Sequence, residues 1–192
     1  MKNLIIISAP SGSGKTTLCR ALQKKDQSIR FSVSCTTREI RKGEIDGVDY
    51  SFLTNEAFEN EINTSNLAEW EKIHGDYYYG TLKSTLDNTF KRQELLLLEL
   101  DVKGAKSIKQ LYPEQTISIF VEPPSLNDLR TRLIKRGTDS EERIAKRLDR
   151  LSVELDYKSN FEHNIVNDNL DRAVDEIMNI IQHENEGVYY GS

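Results

Sequence analysis

The sequence predicts an α/β fold: a parallel sheet core flanked by helices, a small mixed α/β insert beside it, and a helical lid. Three observations carry this. Apolar runs of strand length alternate with helical patterns at the start of the chain and in its second half, as strands buried under helices on both faces require. The stretch from about 33 to 82 breaks that alternation with short strands, many aromatics and little helix. The first apolar run also passes straight into a glycine-rich loop and then a helix, which is a phosphate-binding supersecondary unit.

Leu4–Ser8 reads as a buried strand and residues 14 or 15 to about 25 as the following helix. Phe31–Ser34 and Tyr50–Leu53 read as short strands. Asn55 is placed to cap a helix from Glu56 to about Asn63, with Phe58 and Ile62 on one face. Extended segments are expected at Leu67–Ile73 and Tyr77–Gly80, then a helix from Thr81 or Ser84 to about Lys91. Leu95–Leu100 is a core strand ending at Asp101, Gly104–Gln110 a helix, and Thr116–Val121 a third core strand. Ser125 with Asp128 forms a capping box for a helix stopped at Gly137, and Thr138 with Glu141 repeats the signal for a second one. Arg132 and Arg136 share one helical face, as do Arg143 and Arg147. That arginine-bearing hairpin suits a closing lid, and equally a solvated face paired with Glu141, Glu142 and Asp149. A last amphipathic helix is expected from about Asp171 to His183, with Ala173, Ile177, Ile180 and Ile181 inward. These elements divide the single domain into a core (1–32, 83–124 and 151–192), an insert (33–82) and a lid (125–150).

The loop itself is Ala9-Pro10-Ser11-Gly12-Ser13-Gly14-Lys15-Thr16, followed by Thr17. Gly12 and Gly14 let backbone N–H groups turn inward around phosphates, Lys15 reaches the β- and γ-phosphates, and the Thr16 hydroxyl ligates Mg²⁺. The helix N-terminus beyond the loop adds partial positive charge. The core is therefore of the P-loop NTPase type, with nucleotide and Mg²⁺ as the implied ligands. Ala9 stands where the strict pattern has Gly, a small change if the backbone angles there are ordinary. Ligands of such sheets lie beyond the carboxyl ends of the strands, so Lys15 and Asp101 should face one crevice.

The chain has 192 residues, 37 % apolar and 30 % charged, with a net charge of −5. That suits one soluble globular domain and disfavours a nucleic-acid surface, which needs clustered positive charge. The local basic clusters, Arg38, Arg41 and Lys42 and then Arg130 through Arg150, point instead to a small polyanionic ligand. No apolar run approaches membrane-spanning length, and Leu4–Ile7 is too short for a signal segment. Cys19 and Cys35 read as free thiols of a reducing compartment, so a cytoplasmic protein is expected. The three histidines show no metal spacing. Nothing in the sequence speaks to oligomeric state.

Several further segments complete a resemblance. Ser34-Cys35-Thr36-Thr37-Arg38, Gly43-Glu44 with Gly47 and Asp49-Tyr50, Glu69-Trp70, Tyr79-Gly80-Thr81, Asp101-Val102-Lys103-Gly104, Arg136-Gly137-Thr138 and Val166-Asn167-Asp168 follow the loop in order. With them the chain resembles the guanylate kinases over residues 3 to 183. The resemblance implies phosphorylation of GMP, and of dGMP, to the diphosphate by ATP with Mg²⁺, in purine nucleotide metabolism. It implies that residues 33–82 bind GMP. Arg38 and Arg41 would hold the GMP phosphate, since guanidinium matches phosphate in bidentate fashion, and Tyr50 and Tyr79 would donate their hydroxyls to it. Glu69 would accept from guanine N1–H and the amino group, an edge adenine lacks, with Ser34 and Thr81 at O6. For Asp101 two roles stand open: an acceptor for the guanine amino group, or organisation of Mg²⁺. Lys15, Arg38, Arg136 and Arg147 would carry the catalytic charge. The ATP set would be residues 9–17 with Arg132, Arg136, Asn167 and Asp168; Arg132 is also suited to supporting the lid, and Asn167-Asp168 to a plain turn.

Four departures from the family pattern stand out. Ile40 replaces the usual Pro, Lys103 the usual Gln and Ala9 the usual Gly, and residues 75–80 hold one residue more than usual, which leaves Tyr78 and Tyr79 as alternatives for the phosphate tyrosine. A guanylate-kinase-like module that binds phosphopeptides would carry a degraded loop, whereas Gly12, Gly14, Lys15 and Thr16 are intact here. A kinase of phosphorylated sugars would not need Glu69, Ser34 and Thr81 together.

Overall fold

The computed structural model describes residues 1–10, 12–73, 77–136, 141 and 154–186. Its centre is a parallel sheet of β1 (Leu4–Ser8), β2 (Ile29–Phe31), β7 (Leu95–Leu100), β8 (Thr116–Glu122) and β9 (His163–Val166), in the order β2-β7-β1-β8-β9. Side chains alternate across it, as the two-residue strand period demands. Ile5 and Ile7 face α1 (Lys15–Lys25) and the final helix, α6 (Leu170–Glu186), in a core with Leu18, Leu22, Ile119, Ile177 and Ile181. Leu4 and Ile6 face α3 (Lys83–Arg92) and α4 (Val102–Leu111), in a core with Leu86, Leu98, Ala105, Ile108 and Phe120. Because both faces are covered, the central strands β1, β7 and β8 are buried along most of their length. The connection leaving β1 runs to one edge of the sheet and the one leaving β8 to the other. The crevice thus opens at the carboxyl end of β1, where α/β sheets bind ligands.

Between β2 and α3 the chain builds a second sheet, ordered β4-β3-β6-β5, from β3 (Cys35–Thr36), β4 (Ser51–Phe52), β5 (Leu67–Ile73) and β6 (Tyr77–Leu82). Its apolar centre is small: Cys35, Phe58 and Leu67, with Leu53, Ile62, Tyr78 and Leu82 against them. Helix α2 (Asn55–Asn63) brings Phe58 to that centre. Contacts between α4 and β5, including Lys103 to Glu71 at 3.6 Å, fasten this sheet to the core.

The structure corrects several expectations. The strand expected over 31–34 is two: Ile29–Phe31 joins the core and Cys35–Thr36 the second sheet, since the chain changes sheets between them. The cap of α2 is Thr54, whose hydroxyl accepts from the Ala57 N–H at 3.1 Å, and not Asn55, which is the first helical residue. Helix α4 begins at Val102, before Gly104, because Asp101 caps it by accepting from Lys103 and Gly104 N–H groups. Strand β9 was not foreseen; its four residues offer one buried side chain, Ile165. The capping box at Ser125 holds: its hydroxyl accepts from Asp128 N–H at 3.0 Å and starts α5 (Leu126–Arg136). The second lid helix expected from Thr138, with Arg143 and Arg147, lies outside the described residues apart from Glu141, which is helical.

Candidate active site

The glycine-rich loop turns where the glycines fall. Gly12 and Gly14 have φ of +92° and +90°, the left-handed region that side chains disfavour. Among the described residues only Ser65 and Gln93 adopt positive φ without being glycine, so Ala9 sits at ordinary angles and its methyl is tolerated. Gly14 caps α1 with no side-chain acceptor, which leaves the first-turn N–H groups and the positive end of the helix dipole for an anion. Lys15 reaches across to the strand end and donates to the Leu100 carbonyl at 3.0 Å. Thr16 donates to Glu99 Oε1 at 2.6 Å. Ser11 lies outside the described residues.

Glu99 thereby joins the loop residues, and the set expected from the sequence does not include it. The signal was present: one carboxylate within the apolar run Leu95–Leu100, one position before the strand end. A hydroxyl and a carboxylate in contact form an oxygen donor pair of the kind Mg²⁺ prefers. The donor pair fits Mg²⁺, which Thr16 and Glu99 would hold. Asp101, the acid proposed as an alternative magnesium organiser, instead has Oδ1 occupied by the N-terminus of α4.

Around the loop, Leu129 and Leu133 of α5 close over Gly12, and a side chain there would strike Leu133 Cδ2 at 2.8 Å. Arg132 on the same helix donates to the Asn167 carbonyl at 3.0 Å, with Nη1 3.5 Å from the Ser13 carbonyl. Asn167 Nδ2 donates to that Ser13 carbonyl at 2.8 Å. Asp168 pairs with Arg172 of α6. The side chain of Arg136 and the whole of Arg147 lie outside the described residues.

Across the crevice, the second sheet gathers its own charged group. Arg38 is buried, its guanidinium carbon 5.5 and 5.6 Å from the ring centroids of Tyr50 and Phe52, which meet each other edge to face. Its guanidinium donates to Glu44 Oε1 at 2.8 Å and to the Glu39 carbonyl. Glu44 Oε2 accepts from the Arg41 N–H at 2.8 Å, so one carboxylate ties both arginine positions together. The bond from Arg38 is also the main reason the Glu44 carboxyl titrates below its usual range. The Arg41 side chain stands exposed, as does Ile40 in the usual proline position. Tyr79 meets Tyr50 edge to face at 6.0 Å and also contacts Arg38. Tyr78, one residue earlier and so on the opposite face of β6, stacks on Phe58 and meets Trp70. Of the two tyrosines, Tyr79 shares the pocket with Arg38 and Tyr50. Burial raises the Tyr50 pKa, and the Glu99 carboxylate raises it further.

Deeper in the cleft Glu69 is nearly enclosed. Thr81 lies opposite it in the β5–β6 ladder and donates to its Oε1 at 2.6 Å. A side chain on Gly104 would come within 2.7 Å of Glu69 Oε2, so only glycine lets α4 approach this carboxylate. Burial lifts the Glu69 pKa to about 7, with Asp101 and Glu71 adding repulsion and the Thr81 bond opposing it. Ser34 is half-buried on the segment joining the two sheets. The arrangement can bind two anions, one on loop amides and one on an arginine–tyrosine cluster, with a buried carboxylate beside the second.

The family model described as guanylate kinase matches residues 1–184. A guanylate kinase of Caldanaerobacter subterraneus subsp. tengcongensis is 43 % identical over 178 residues, covering 93 % of this chain and 85 % of the relative. One of Porphyromonas gingivalis is 42 % identical over 182 residues, covering 94 % and 97 %. The crystal structure of guanylate kinase from Anaplasma phagocytophilum superposes with a TM-score of 0.77 at 29 % identity, covering 94 % of this chain and 85 % of that one. A shikimate kinase from Bacteroides thetaiotaomicron, at 13 % identity and a TM-score of 0.52, shares the fold.

Proposed function

From the premise that this chain belongs to the guanylate kinase family, we propose that it transfers the γ-phosphoryl group of ATP to the phosphate of GMP, giving GDP and ADP, and that it accepts dGMP as well. The observation that carries the reading is one strand end. Residues 99–101 touch Thr16 and Lys15 on one side, and on the other Asp101 starts the helix whose Gly104 seats Glu69. Donor phosphates and acceptor base are thereby held to a single rigid element.

The roles follow from the chemistry of the groups. ATP phosphates lie on the amides of residues 9–17, with Lys15 moving from the Leu100 carbonyl to the transferring phosphate. Thr16 and Glu99 would hold Mg²⁺, which when bound would supply charge neutralisation to the phosphates. GMP presents its phosphate to Arg38, Arg41, Tyr50 and Tyr79, and its guanine N1–H and amino group to the ionised Glu69. Asp101 serves the base indirectly, by fixing the turn into α4 beside Glu69. Ser34 and Thr81 complete the O6 edge. Arg132, Arg136, Arg147, Asn167 and Asp168 close the ATP side from residues 125–150 and from the loop after β9. In-line transfer then requires positioning and neutralised charge, and no covalent intermediate. The working partition is a GMP-binding unit of residues 33–82 and a lid of 125–150 on a nucleotide-binding core, in a cytoplasmic enzyme of purine nucleotide metabolism. Among the described residues no helix is long and apolar enough to cross a membrane.

The test offers GMP, dGMP, AMP, CMP, UMP and dTMP separately with MgATP and follows ADP formation. Turnover restricted to the two guanine nucleotides is expected. Turnover with any other acceptor would overturn the role of Glu69, and none with GMP would overturn the kinase reading.

A further inference from the structure

Asn167 is unusually well fixed for a residue in a loop. It follows β9 directly, its N–H donates to the Glu122 carbonyl at 2.9 Å, and its own carbonyl accepts from Arg132 at 3.0 Å. Its side chain is buried and lies directly against the glycine-rich loop: a Cβ on Gly14 would meet Asn167 Nδ2 at 2.8 Å. The orientation of the amide is fixed by its partner. A carbonyl oxygen can only accept, so the group 2.8 Å from Ser13 O must be the NH₂ and not the amide oxygen. The same carbonyl takes a second, longer contact from Arg132 Nη1.

We propose that Asn167 is a positioning residue of the phosphate loop. Its side-chain NH₂ aims the Ser13–Gly14 peptide and does not read the donor base. A trans peptide is planar, with C=O and N–H on opposite sides. Holding the Ser13 carbonyl toward Asn167 therefore turns the Gly14 N–H the other way, toward the side on which the proposed phosphate site lies. Without that grip the peptide can rotate, and a carbonyl can replace an amide donor facing the anion. Arg132 works in the same assembly, holding Asn167 by its backbone, so α5, the loop after β9 and the glycine-rich loop form one brace. This inference rests on the kinase reading, since it assigns a function within the donor site.

Two variants separate the brace from base reading. N167D keeps an acceptor of the same shape, as a base amino group would need, but places a carboxylate oxygen against Ser13 O; N167A removes both groups. The expected result is a fall in kcat of roughly tenfold or more in N167D, at least as large as in N167A. The preference for ATP over GTP as donor and the GMP dissociation constant should stay within about twofold of wild type. Wild-type kcat in N167D, or a changed donor preference in N167A, would overturn the proposal. A second measurement uses the unmodified protein, so that a variant that fails to fold does not decide the matter. The side-chain ¹⁵N amide pair of Asn167 is followed by NMR while inorganic tripolyphosphate or adenosine is added. A shift with tripolyphosphate and none with adenosine is expected, and the reverse overturns the brace. Should wild type form no ADP with GMP, the kinase reading fails by itself, while the two titrations still decide what the amide answers to.

Discussion

On the function proposed above, the core and the second sheet would bind anions by opposite means. In the core the ligand-binding groups would be mostly backbone: loop amides shaped by Gly12 and Gly14 and the open N-terminus of α1, following β1, which is buried throughout. In the second sheet they would be side chains: Glu69, Tyr79 and Thr81 on β5 and β6, and Arg38 and Tyr50 on the segment between β3 and β4, around a centre of three buried apolar residues. The charge arrangement differs in the same way. Lys15 rests on a neutral carbonyl, whereas Arg38 is held by the Glu44 carboxylate. A backbone site is as rigid as its fold and indifferent to the base above it. A side-chain site can discriminate among bases, and it depends on each of its members being held in place.

The sharpest break in this comparison is Lys15→Met. It should lower kcat by roughly 10²–10³-fold, the scale for losing one group that stabilises transition-state charge, while calorimetry gives an unchanged GMP affinity. A matching loss of GMP binding would mean that the two sites are not separable. Next in size is Glu69→Gln, which should weaken GMP binding by roughly 1–3 kcal/mol, as expected for losing a charged hydrogen-bond acceptor, and leave ATP binding alone. Equal affinity in the two proteins would remove Glu69 from the base site.

The same carboxyl predicts a pH effect of definite sign. Its pKa is about 7 in the folded protein against roughly 4.3 for an unfolded glutamate. Between those values the native state holds a proton that the unfolded state has released. The stabilisation is complete below the lower value and is lost as pH rises toward 7. If GMP donates to the ionised form as proposed, its affinity should rise as pH approaches 7, by up to about tenfold per pH unit, and level off above it. The phosphate of GMP titrates near pH 6 as well. That contribution is common to wild type and Glu69→Gln, and the difference between their profiles isolates Glu69. A difference that stays flat from pH 5.5 to 8 would show that this carboxylate does not titrate.

What could be read in advance divides along the same line. Leu4–Ser8, Leu95–Leu100 and Thr116–Val121 are rich in apolar residues because both faces are covered, and the loop after β1 shows its glycines at the turning positions. Strand β9 escaped because a four-residue edge strand with one buried side chain leaves almost no pattern. Glu99 escaped because its strand was read for its apolar residues and the acid within it was passed over. In the second sheet the acidic and aromatic residues were visible but their partners were not. Nothing in the local sequence says that Glu44 holds Arg38, that Tyr79 and not Tyr78 turns toward it, or that Gly104 is small because Glu69 lies against it. Those facts arise only when the antiparallel register of β5 and β6 and the packing of α4 are fixed.

The smallest predicted effect bears on whether the two regions unfold together. Thr54 caps α2, and α2 carries Phe58, the largest buried side chain of the second sheet and the one stacked on Tyr78. Thr54→Ala should cost about 1 kcal/mol. Global unfolding would report that loss only if the second sheet opens together with the core. Its few buried residues argue for local opening instead. Amide exchange should then quicken across residues 51–82 while the strands β1, β7 and β8 keep their protection. Uniformly faster exchange would show that the side-chain site is as firmly built as the backbone one, and that its discrimination needs no independent motion of the sheet that carries it.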